Sequence, residues 1–150
     1  MKRTVMTLAL TLGLSGSVLP LAPAHAAGAG AVQFRYFRYN ATGPDSSANS
    51  SVNGEYLLLR NVTTRAVTLT RWTVRDNQRH VYTFGTFTLG PSKTVVLHTG
   101  KGMNTASVRY WGLGYHVWNN TGDKAYLRTP AGTTIDTCAW GSTGSGALTC

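Results

Sequence analysis

The chain has 150 residues, with 14 Lys and Arg against 5 Asp and Glu, a formal charge of +9 at neutral pH. That length suits one domain with a real core, and two cysteines without a His cluster beside them exclude a structural zinc site. The basic balance keeps such a chain in solution and also makes acidic polymers or anionic surfaces natural neighbours.

The first element is an address. Lys2 and Arg3 precede an apolar stretch from Thr4 to about Ala22, interrupted by Gly13, Gly16 and Pro20, and Ala24-His25-Ala26 closes it with small residues around the middle position. This predicts a secretory signal peptide over 1–26, cleaved after Ala26, rather than an anchor of about 20 apolar residues. The expected product runs from Ala27 to Cys150, is secreted to the cell exterior, and has no later run apolar enough to span a bilayer. Losing Lys2 and Arg3 takes two off the net charge and leaves it basic.

Beyond the leader, no segment repeats apolar residues at helical spacing, whereas short runs of Val, Thr, Tyr, Phe and Trp broken by Gly, Pro and Asn recur throughout. Residues 27–54 hold a first strand, with Val32, Phe34 and Tyr36 on one face, and a flexible Ser/Asn/Gly-rich loop from Asn40 to Asn53. Glu55–Asn61 is the next strand, Leu57 and Leu59 inward, and Asn61 is placed to close an Asx-type turn. Leu69 and Trp72 continue the inward series, Trp72 filling space between sheets. Tyr82 and Phe84 share a face, as do Val95 and Leu97. Val108–Trp111 reads as an edge strand. Asp76 and Asn119–Asp123 read as turns. Leu127 and Ile135 lie inward on two strands joined by a hairpin at Pro130-Ala131-Gly132. Trp118 completes the expected core. Seven to nine short strands predict an all-β antiparallel sandwich over residues 27–150, with no second domain. An exported chain favours a Cys138–Cys150 disulfide, worth about 3 kcal/mol by loop entropy, that ties down a loose tail over Gly141–Gly146.

From Glu55 onward the chain resembles the lamin tail domain family. The resemblance rests on Glu55-Tyr56-Leu57-Leu58-Leu59-Arg60-Asn61, the run from Val67 to Asp76, Phe87-Thr88-Leu89-Gly90-Pro91, Val95 to Gly102, Val117-Trp118-Asn119-Asn120-Thr121-Gly122-Asp123 and Gly132-Thr133-Thr134-Ile135-Asp136, in that order. It implies an immunoglobulin-like sandwich and a non-catalytic interaction module, here of the stand-alone, secreted bacterial type. Two departures stand out: Ser92-Lys93 follows Gly90-Pro91 where a Gly often sits, and the cysteine pair is absent from the nuclear members.

Chemistry finds little purchase. His-Glu-x-x-His, Gly-x-Ser-x-Gly and phosphate-loop patterns are missing. Asp123 and Asp136 invite comparison with glycosidase carboxylates, but read as a turn residue and an outward residue. The expectation is therefore no enzyme, no cofactor and no metal, with an unknown protein or envelope polymer as partner. Three binding modes follow. Several of Arg60, Arg65, Arg71, Arg75 and Arg79 can gather on one solvated face for an acidic polymer, with Tyr56 or Tyr82 stacking. Tyr110, Trp111, Tyr115 and Trp118 can form an aromatic strip for sugar. An exposed strand edge can meet another protein.

Overall fold

The computed structural model describes residues 30–150, so the predicted leader over 1–26 lies outside the described residues. The described residues fold as a sandwich of eleven strands: β1 (Val32–Arg38), β2 (Tyr56–Asn61), β3 (Val67–Thr68), β4 (Thr73–Arg75), β5 (Val81–Thr83), β6 (Thr88–Leu89), β7 (Thr94–His98), β8 (Val108–Tyr110), β9 (Gly122–Arg128), β10 (Thr134–Gly141) and β11 (Ala147–Leu148). One sheet runs β11-β1-β2-β7-β8, the other β10-β9-β4-β5, and the pair β3-β6 forms a small third sheet. All pairings are antiparallel except β7 with β8.

Alternation builds the interior. Leu57, Leu59, Val95 and Leu97 from the first sheet meet Val74, Tyr82, Ala125 and Leu127 from the second, with Leu69, Trp72, Phe84 and Trp118 in the same cluster. The expected core is thus in place with one correction. Ile135 is only partly buried and packs against the cluster from its margin, because the register of β10 slips between Thr134 and Asp136. A second slip corrects the first strand. Pairing of β1 with β2 shifts between Phe34 and Tyr36, which sends Phe37 and Tyr39 inward and leaves Tyr36 half-exposed.

The segment expected as a flexible loop is tied down. Asn49–Val52 forms a helical turn, α1, whose Val52 is fully buried, and the Asn49 and Asn53 side-chain amides both donate to the Lys101 carbonyl, at 2.9 and 3.0 Å. One helical turn is too short to leave a periodic signature in sequence. The tail is likewise ordered, since β11 pairs with β1 and Cys150 is bonded to Cys138 on β10. Ser92 has φ 57°, the left-handed region that favours glycine, which explains the usual Gly at this turn.

Asn61 does more than close a turn. Fully buried, its Nδ2 donates to the carbonyls of Arg65 (2.6 Å), Leu89 (3.0 Å) and Gly90 (3.0 Å), and its Oδ1 accepts from Thr63 N (2.9 Å) and Oγ1 (2.7 Å). It welds the end of β2 to the β3-β6 pair. Asn61→Ala leaves these groups unpaired in a closed site and is expected to cost at least about 2 kcal/mol, read from urea unfolding curves.

Candidate functional site

The outer face of the β10-β9-β4-β5 sheet gathers cations from two neighbouring strands. Arg75 on β4 lies opposite Tyr126 on β9, and Arg128 lies opposite Thr73. Alternation aims Lys124, Tyr126 and Arg128 away from the interior, into which Ala125 and Leu127 point. The Arg128 guanidinium and the Lys124 amine each sit 5.1 Å from the Tyr126 ring centre. Arg75, Arg79, Tyr126 and Arg128, with Asp76, Asn77 and Val81, line a shallow cleft of about 440 Å³, and the Asp76 carboxylate within it is turned to the His80 ring. Arg75 Nε donates to Thr73 Oγ1 at 3.2 Å, and the Arg128 Nε is buried without a partner.

The five arginines, several of which were expected to share one face, therefore divide. Arg75 and Arg79 join Arg128 and Lys124 here. Arg60 is exposed on β2, opposite Gln33 and Thr94 in the other sheet. Arg65 is exposed in the β2–β3 turn, and Arg71, at φ 65°, lies in the turn entering β4. Proximity in sequence does not survive the passage of the chain from one sheet to the other. Tyr82 is no stacking residue: it is buried against Phe84 and Trp111, and burial raises its hydroxyl pKa.

The acids explain why this face keeps its charge. Asp76 accepts from His80 N at 2.7 Å and bonds the His80 ring. Asp123, expected as a turn residue, is buried and accepts from the amides of Lys124 (2.8 Å), Asn119 (3.3 Å) and Asn77 (3.4 Å). Asp136, expected outward, is half-buried and accepts the Phe34 amide at 2.8 Å, stitching β1 to β10. Among the described residues, ion pairs occur only at His80 and His116, so no Arg or Lys is matched by a carboxylate.

The predicted sugar strip also divides. Trp118 is 3% exposed, edge-on to Phe37 at 4.6 Å between ring centres, and Trp111 is half-buried beside it. Tyr115 is 52% exposed in a loop, and Tyr110 joins the outer face of the five-stranded sheet. Two of the four rings cap the core and the other two point to separate surfaces.

One constellation escaped the sequence. His116 Nδ1 lies 3.1 Å from Glu55, which is 1% exposed, and His116 Nε2 lies 3.2 Å from Ser51 Oγ. The order Ser–His–carboxylate is that of an acyl-transfer triad. Two features make it a structural tie instead. Ser51 Oγ accepts the Ser46 amide at 3.1 Å, and the Ser46 carbonyl stands 3.2 Å from the same Nε2. Burial pushes the Glu55 carboxyl up to about 7, against the lowering effects of the Val117 amide at 3.0 Å and of His116, whereas a triad acid must be ionised to steady an imidazolium. His116 thus fastens the α1 segment to the buried start of β2. No signal in the sequence pairs these residues, because Ser51 and His116 are 65 positions apart.

Among the described residues, no cluster of His, Cys, Asp or Glu has the composition to hold a metal, and no helix is long and apolar enough to cross a membrane. No match was found among curated proteins. The lamin tail domain model, by contrast, matches residues 25–142, extending the resemblance seen from Glu55 back through β1 and forward through β10. On that match, together with the sandwich it accompanies, the chain belongs to the lamin tail domain family.

Proposed function

We propose that this protein is exported and works outside the cell as a binding module, holding an acidic polymer on the outer face of its β10-β9-β4-β5 sheet. The family is one of non-enzymatic immunoglobulin-like domains, which agrees with a scaffold that binds rather than turns over. The observation that carries the ligand class is electrostatic. Arg75, Arg79, Lys124 and Arg128 surround Tyr126, and the protein's own carboxylates are all occupied by backbone amides, Asn or His. Cations left without carboxylate partners on a firm sheet present a fixed field to a polyanion. Export is supported by the leader-like residues before Ala27 and by the Cys138–Cys150 bridge, which suits an oxidising compartment. A secreted form whose mass begins at Ala27 is the corresponding check.

Binding to a duplex DNA oligonucleotide, used as a polyanion of known charge spacing, tests the face. Four phosphate contacts predict an affinity that falls about a hundredfold between about 50 and about 200 mM salt. The double variant Arg75→Glu/Arg128→Glu is expected to abolish retention while melting within a few degrees of wild type, since both side chains are on the solvated face. Retention that ignores salt, or survives the double variant, overturns the proposal.

A further inference from the structure

The opposite face of the sandwich carries a different surface, and it is not basic in the same way. Registers across the five-stranded sheet place Arg38 of β1 opposite Tyr56 of β2, Tyr56 opposite His98 of β7, and His98 opposite Tyr110 of β8. One continuous row therefore crosses four strands, on the side away from Leu57 and Leu97. The register slip in β1 adds Tyr36 beside it. Ring centres follow one another at 5.8 Å (Tyr36–Tyr56), 5.4 Å (Tyr56–His98) and 5.2 Å (His98–Tyr110), and all four rings are half-exposed.

The row is chemically prepared. His98 Nδ1 lies 2.8 Å from the Asn53 carbonyl, an acceptor only, so Nδ1 carries the proton and Nε2 is left as an acceptor. The Arg38 guanidinium is anchored by Nη1 donating to Thr42 Oγ1 (3.2 Å) and Nη2 to the Tyr36 hydroxyl (3.5 Å), with no carboxylate beside it. Tyr110 is fixed from one side by the Gly102 backbone: a Cβ at Gly102 would collide with the Tyr110 ring. Asn49 Oδ1 accepts the neighbouring Lys101 amide at 2.7 Å and holds that approach.

We infer that this row is a second binding site, for an extended acidic polysaccharide whose pyranose units lie along Tyr36, Tyr56, His98 and Tyr110 and whose carboxylate meets Arg38. Sugars present apolar C–H patches ringed by hydroxyls, which match ring carbon alternating with phenol hydroxyls and an imidazole acceptor. The charge complement is specific, because the charged side chains of β1 and β2 on this sheet are Arg35, Arg38 and Arg60, with no acid among the outward residues of β1, β2, β7 or β8. Nucleobases fit less well, since each ring leans on the next and no slot is left for a base between them. The site is on the opposite sheet from Arg75 and Arg128, and stands or falls separately from them.

Polygalacturonic acid is the probe, its fully methyl-esterified form the uncharged control, and oligo(dT) a polyanion without pyranose rings. In the Arg75→Glu/Arg128→Glu background, which removes the hold of the other sheet on polyanions, the acid form is expected to bind about tenfold tighter than the ester. Adding Arg38→Gln to that background is expected to erase the difference. Gly102→Ala displaces the Tyr110 ring without touching the interior, and is expected to weaken both forms about tenfold at an unchanged melting temperature. Arg75→Glu/Arg128→Glu is expected to bind the ester as wild type does. Failure of wild type to bind the acid form, or binding indifferent to Arg38→Gln and Gly102→Ala, overturns the inference. Oligo(dT) binding that both variants abolish, with no glycan bound, reassigns the face to nucleic acid and overturns it as well.

Discussion

Trp118→Ala is expected to lower the unfolding free energy by about 3–5 kcal/mol, a large part of the roughly 5–15 kcal/mol that holds a domain of this kind together. The ring is 3% exposed and sits among Phe37, Trp111 and Trp140, with ring centres at 4.6, 5.9 and 5.9 Å, all edge-on. Trp140 Nε1 in turn donates to the Asn119 carbonyl at 2.8 Å, so the aromatic group reaches from β1 to the segment entering β9. Deletion opens a cavity where two sheets and a loop converge, and rings locked edge to face cannot collapse into it. Tyr115→Ala, 52% exposed in the adjoining loop, serves as the control and is expected to change stability by no more than about 0.5 kcal/mol. Urea melts of both variants check the pair. Equal midpoints would show that the Trp118 ring fills no space the fold needs.

Glu55→Gln is expected to reverse its effect with pH. Burial raises the Glu55 carboxyl from the usual 4.5 to about 7 in the folded protein. A group raised in this way contributes stability that is fully present below the unfolded value and is lost as pH climbs through the folded one. Wild type should therefore lose stability between about pH 4.5 and 7, by about 3 kcal/mol in total. Gln keeps an acceptor for the Val117 amide but cannot ionise. The variant should match wild type near pH 4.5 and exceed it at pH 8, where wild type holds a buried carboxylate against the His116 ring at 3.1 Å. Thermal melts across this range provide the measurement, and parallel curves for the two proteins would show that Glu55 keeps its ordinary acidity.

Period-two alternation made the sandwich legible. Leu57, Leu59, Val95, Leu97 and Leu127 announce their direction because each is flanked by residues that face out. Where the chain slips register, alternation misleads. The bulge between Phe34 and Tyr36 left Val32 and Phe34 inward as read but turned Tyr36 out, and the slip before Asp136 moved Ile135 to the margin. The candidate sites were less legible for a related reason. Arg75 and Arg128 are 53 positions apart and meet only because β4 and β9 are neighbours, while Tyr56, His98 and Tyr110 form a row only once two registers are known. Side chains clustered in sequence, such as Arg60, Arg65 and Arg71, were drawn apart by the same topology. Buried acids were invisible because nothing in Asp76, Glu55 or Asp123 as letters distinguishes a solvated carboxylate from one holding loop amides.

The bond between Cys138 and Cys150 does more than fasten the last residues. Strand β11 joins β1 through two residue pairs, Phe37 with Leu148 and Arg38 with Ala147, and Gly146 just before it accepts from the Tyr39 and Asn40 amides at 3.0 and 3.1 Å, a short ladder that the bridge closes from its far end. Reduction would loosen that strand and raise the exposure of the β1 amides and carbonyls it covers. The bridge thus keeps the β1 edge covered by the chain's own last strand, and dithiothreitol treatment is expected to raise amide exchange at Phe37 and Arg38 ahead of the rest of the sheet.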